Sequence, residues 1–238
     1  MNRDKLTENR IKSRIVLVDI LVVALPIVLS GIAGNITGLG TITGGAIINL
    51  GYLLSIIAGS VVLKRRGSGW NEIGLSKPES WTRTVLYGMA ACIAALVLFV
   101  VVQVVAASIL AAINLSTSEI GSTRFLSLEG NIPLLLLMIA LAWTTITFGE
   151  EMFYRAFLIS RMVDYTGIGR GLAVLISGAV FGAAHFAEGP LGILSNGAFG
   201  LLFGWIYLRS GRNLWITIIG HGLLNTLRFA LLYTGQAG

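Results

Sequence analysis

The chain has 238 residues, of which 55 % are hydrophobic and only 12 % charged, and its mean hydropathy is +0.84. Soluble domains typically carry about twice that charged fraction, so composition excludes an ordinary soluble enzyme. The net charge of +6 would suggest nucleic acid in a soluble protein, but here Lys and Arg gather at the ends of apolar blocks, where they orient helices and meet anionic headgroups. Nucleic acid is therefore not an expected partner; the lipid bilayer is.

The apolar blocks approach the roughly 20 residues needed to span a bilayer. They lack the two-residue alternation of barrel strands. The predicted fold is all-α, a polytopic transmembrane helical bundle of about seven spans, or eight with a re-entrant or interfacial helix. It is read as a single integral-membrane domain over 1–238, with the motif-bearing core at about 130–235.

The basic start, Arg3 to Arg14, precedes a first span at about Ile15–Ala33, with Pro26 a potential kink. No small-residue cleavage site follows, so this segment reads as a retained helix rather than a signal peptide. A Gly/Thr-rich hairpin, Gly34–Gly45, leads to a second span at about Ala46–Leu63. The polar linker Lys64–Arg83 contains Trp70–Leu75, a short amphipathic piece, and Trp70 and Trp81 suit an interfacial belt. The third span, about Thr84–Ile113, exceeds what a bilayer requires. Within it lies Cys92, the sole cysteine, which excludes an intrachain disulfide and reads as a small core residue.

The fourth span starts near Pro133. The fifth covers about Gly171–Phe186, the sixth Leu191–Leu208 and the seventh Leu214–Tyr233. Gly167-Ile-Gly-Arg-Gly171 follows no strand and lacks a phosphate-binding Lys-Ser/Thr, so it reads as a helix-initiating turn. Gly178-x-x-x-Gly182 and Gly200-x-x-x-Gly204 have the spacing that lets helices approach closely. Basic residues alternate between linkers: the N-terminal segment, the linker with Lys64, Arg65, Arg66, Lys77 and Arg83, then Arg161 and Arg170, then Arg209 and Arg212. That distribution predicts a cytoplasmic N-terminus, in what looks like a bacterial plasma membrane.

Three polar intrusions interrupt the later helices: Glu150-Glu151-x-x-x-Arg155, Phe181-x-x-x-His185 and His221-x-x-x-Asn225. Ionisable groups are costly in hydrocarbon, so their presence marks function. If the fourth helix continues to Arg161, Glu150 lies about 17 Å from that end, His185 about 22 Å beyond Arg170 and His221 about 13 Å beyond Arg212. All three then fall within a hydrocarbon core of about 30 Å.

Glu151 and Arg155, four residues apart, form a natural ion pair, which leaves Glu150 free. His221 and Asn225 share a helix face. A free carboxylate beside an imidazole can take a proton from water, and a second imidazole with an amide can stabilise an oxyanion. The same residues leave a metal reading open, with Glu150, His185 and His221 as ligands of a divalent ion such as zinc. No His-Glu-x-x-His helix is present. Intramembrane Glu, His and Arg also mark proton-coupled transporters, although no internal repeat is visible between the halves.

In residue type and order the three motifs resemble those of the CPBP (Abi) family, the type II CAAX prenyl endopeptidases and bacteriocin-processing or immunity proteins. The resemblance covers about the last 110 residues, and Trp70–Leu75 resembles a further family element. It implies an intramembrane endopeptidase acting on membrane-associated peptides or proteins, prenylated CAAX-type ones among them, with a cavity open to the cytosolic side. By the same resemblance Glu150 is the general base that activates water with His185. His221 and Asn225 form the oxyanion site, and Glu151 and Arg155 support them. A non-catalytic immunity or scaffold role belongs to the same resemblance.

Overall fold

A computed structural model describes residues 3–38, 42–114 and 128–236. Among these residues every regular element is helical. Seven helical bodies are formed: α1 (Arg3–Thr37), α2 (Ile42–Arg65), α3 (Trp81–Ala112), α4 (Ile132–Tyr165), α5 (Arg170–Ala184), α6 (Gly189–Arg209) and α7 (Leu214–Tyr233). Six are long and apolar enough to cross a membrane; α5, with 15 residues, is not. The protein is a polytopic helical membrane bundle. Its outer face is what a lipid environment requires, since α1 presents Leu17, Leu21, Leu25, Val28 and Ile32 outward and α3 presents Val97, Val100 and Val104.

Two sequence expectations need correction. Seven full spans were expected, but α5 would measure only about 22 Å, because the chain stops it early. Its last helical residue is Ala184; a 3₁₀ turn, Phe186–Glu188, follows, and Gly189 at φ +74° lets the backbone turn into α6. Arg161, expected in a linker, lies inside α4. Its side chain is buried, with the guanidinium 3.9 Å from Asp19 and stacked over Tyr165 at 4.8 Å. Asp19 on α1 is also held by Arg66, through bonds of 3.1 and 2.8 Å.

Other expectations are met. α4 continues through Arg161 to Tyr165, as the depth argument needed. Of the Gly/Thr-rich hairpin expected at Gly34–Gly45, Gly34 to Thr37 instead belong to α1 and Ile42 to Gly45 to α2, while 39–41 lie outside the described residues, as do Glu119 and Arg124. Arg170 opens α5 after Gly169. The small-residue motifs are a packing device: a Cβ on Gly182 would lie 2.6 Å from the Ile193 carbonyl oxygen, and one on Gly200 2.9 Å from Gly178 Cα. α5 and α6 therefore touch backbone to backbone. Cys92 is buried.

The amphipathic piece Asn71–Leu75 is a single wide turn, and its placement reflects specific bonds rather than lipid anchoring alone. Trp70 packs 6.2 Å from Phe157 and donates to Ser60 at 2.8 Å, while Tyr207 donates to the Ile73 carbonyl at 2.7 Å. Trp81 stacks edge-on against Trp215 at 5.4 Å.

Candidate active site

The first motif lies in α4 at a change of helical pitch. Ala142–Ile146 and Glu151–Ile159 are wound as π-helix, on either side of the α-helical turn Thr147–Glu150. Such over-wide turns shift the side-chain register and concentrate at functional sites. Every residue from Glu151 to Ile159 is buried.

Glu151 and Arg155 form the expected ion pair, with Arg155 Nε 3.3 Å from Glu151 Oε2 and both side chains fully buried. The guanidinium also lies over the Phe181 ring at 4.5 Å and faces Phe199 at 5.5 Å and Phe203 at 5.8 Å. Aromatic faces attract a desolvated cation. Arg155 thus joins α4 to α5 and α6.

Glu151 has a second partner. Its Oε1 lies 2.9 Å from His221 Nδ1, while His221 Nε2 faces Glu150 Oε2 at 3.6 Å. One imidazole on α7 is therefore held between the two adjacent carboxylates. Phe199 closes its flank at 4.7 Å. Glu150, Glu151 and His221 are all nearly or fully buried. Two carboxylates, one guanidinium and one imidazole thus share a single buried cluster.

Asn225, one turn beyond His221, donates from Nδ2 to Thr147 Oγ at 3.0 Å. A carboxamide has two N–H groups, so one remains for another acceptor. Trp143 donates to Thr226 at 2.9 Å, a second α4–α7 link beside it.

His185 stands at the end of α5. It caps α5, half-buried, with Nδ1 2.8 Å from the Phe181 carbonyl oxygen and its ring 4.7 Å from the Phe181 ring. The Glu150 carboxylate contacts Tyr52 and His221. The Phe181 ring neighbours both histidines, at 4.7 and 6.3 Å. The physical reason is the early end of α5: His185 meets its own helix's last turn, and the carbonyl there needs a donor. A donor at Nδ1 leaves Nε2 with its lone pair.

Among the described residues no three His, Cys, Asp or Glu side chains are grouped to hold a metal ion.

Two contributors were not visible as motifs. Tyr52 on α2 donates to Glu150 Oε1 at 3.0 Å, and Thr147 receives Asn225. The signal for Tyr52 was present in muted form: Asn49, Tyr52 and Ser55 recur every three residues along an otherwise apolar helix.

Geometry and composition together define a helical integral membrane protein with a buried carboxylate–imidazole site shared by α2, α4 and α7. Residues 132–227 match the family model described as type II CAAX prenyl endopeptidase Rce1-like. That match supports a membrane protease of the CAAX endopeptidase kind. Comparison with curated proteins and with solved structures gives no match.

Proposed function

We propose that this protein hydrolyses a peptide bond of a membrane-associated peptide or protein, by attack of water activated at Glu150 and without a metal ion. The substrate class the family description suggests is a prenylated CAAX-type protein. The single observation that carries the reading is the placement of Glu150, buried yet bonded to neither Arg155 nor Glu151, with His221 Nε2 3.6 Å away.

Glu150 takes a proton from water as the oxygen bonds to the substrate carbonyl carbon. Nε2–H of His221, oriented through Nδ1 by Glu151, and the second N–H of Asn225 receive the developing oxyanion. The proton on Glu150 then passes to the amide nitrogen, the C–N bond breaks, and acid and amine are released. His185 orients the water through its unprotonated Nε2. Glu151 and Arg155 support His221. The distribution of Lys and Arg favours a cytoplasmic N-terminus.

Purified protein in liposomes, incubated with membrane peptides including a prenylated CAAX peptide, tests the reading. Wild type cleaves, and Glu150→Gln loses about 10²–10⁴-fold in kcat while remaining folded. Equal cleavage by Glu150→Gln would remove Glu150 as the base.

A further inference from the structure

Tyr52 belongs to α2, some 80 residues before the matched segment begins at 132. It nevertheless touches the carboxylate on which the proposed chemistry depends. It is nearly fully buried, and its hydroxyl donates to Glu150 Oε1 at 3.0 Å. This is the shortest contact described for that carboxylate; the other, to His221 Nε2 at 3.6 Å, uses the opposite oxygen.

The local sequence is shaped around this contact. Residue 149, next to the carboxylate, is glycine, and a Cβ there would lie 2.8 Å from Tyr52 Cβ and 3.1 Å from Cδ1. Real Cβ atoms do not approach so closely, so any larger residue would push the phenol away from Glu150. The same face of α2 is tied down on both sides of Tyr52. Asn49 accepts from Thr145 on α4, and Ser55 donates to the Val23 carbonyl on α1 at 2.8 Å. Tyr154, four residues beyond Glu150, is buried as well. Its ring stands edge-on to Phe181 at 4.9 Å, and Phe181 in turn packs on His185.

A glutamate has three side-chain torsions and is costly to hold in one rotamer. An unclamped Glu150 would rotate both oxygens among its neighbours. With Oε1 occupied by the phenol, Oε2 alone is left to face His221 and accept a proton. We propose that Tyr52 is a positioning residue of the active site, holding Glu150 by Oε1 so that Oε2 acts as the base, with Gly149 providing the space for it. α2, which precedes the matched segment, is then part of the catalytic apparatus rather than a membrane anchor alone. The inference rests on the hydrolytic role proposed above for Glu150.

The test uses the full chain in liposomes with a membrane peptide that wild type cleaves. Tyr52→Phe lowers kcat about 10- to 100-fold, the worth of a hydrogen bond to a charged group, and changes KM by less than about twofold. Gly149→Ala gives a loss of the same kind. The double variant is no worse than Tyr52→Phe alone, because the alanine acts by displacing a hydroxyl already gone. Unchanged kcat in Tyr52→Phe, or fully additive losses, would overturn the proposal.

A readout independent of turnover separates it from the hydrolytic reading. The infrared difference between wild type and Tyr52→Phe contains a carboxylate band that disappears in a Glu150→Gln background. If that band is absent, the clamp does not exist, whatever the protein cleaves. If it is present in a protein whose Glu150→Gln variant cleaves normally, the clamp stands as structure, and both the hydrolytic reading and the catalytic part of this proposal fall.

Discussion

His221 Nδ1 lies 2.9 Å from Glu151 Oε1, so the imidazole of α7 is oriented by a carboxylate of α4 that Arg155 already neutralises on its other oxygen. The adjacent glutamates thereby divide their work. Glu151 is committed to Arg155 and His221, and Glu150 faces the far side of the same ring. Removing the orienter should leave the ring present but poorly aimed. Glu151→Gln is expected to lower kcat by about 10²-fold or more with little change in KM. Steady-state kinetics on a membrane peptide checks it, and wild-type kcat would show that Glu151 is structural only.

Arg155 is a fully buried cation whose counter-charge is equally buried. Replacing it by Leu strands Glu151, which costs about 3–5 kcal/mol for a broken buried pair. Arg155→Lys should not rescue fully, because an ammonium lacks the planar face that rests on Phe181. Thermal unfolding in detergent should show a large fall in midpoint for Arg155→Leu and a smaller one for Arg155→Lys.

The two histidines should separate experimentally. His185 is half-buried and its imidazole bonds only the Phe181 carbonyl, whereas His221 is packed among Phe199, Phe203 and two carboxylates. His185→Ala is expected to keep the wild-type unfolding midpoint and lose about 10²-fold in kcat. His221→Ala loses both activity and stability, since two buried carboxylates lose their shared partner. Equal thermal stability of the two variants would contradict the packing difference.

Chelation gives a direct check on the metal-free mechanism proposed above. Because Glu150, His185 and His221 are not grouped as ligands, cleavage by protein dialysed against a strong chelator should proceed at the untreated rate. A loss restored by added zinc would show that the ligand set assembles during turnover.

The close approach of α5 and α6 makes a stability prediction remote from the chemistry. Gly182→Val places side-chain atoms against the Ile193 carbonyl and Gly197, and overpacking of this kind costs about 1–3 kcal/mol. The unfolding midpoint should fall while kcat of the folded fraction is retained.

The amino-acid sequence alone determined the membrane class, six of the seven helical bodies as spans, the i,i+4 pairing of Glu151 with Arg155 and the packing role of the paired glycines. Those features depend on hydropathy summed over long windows or on spacing within one helix, both of which are local. It did not determine which imidazole meets Glu150. His185 and His221 are equivalent as symbols, and their difference arises because α5 ends at Ala184 and turns His185 onto its own last carbonyl. Nor could it single out Tyr52, whose bond to Glu150 spans 98 residues of chain. Only the packing of α2 against α4, at a glycine that leaves room for a phenol, decides that contact, because a hydrogen bond across two helices depends on their relative rotation and not on the pattern within either.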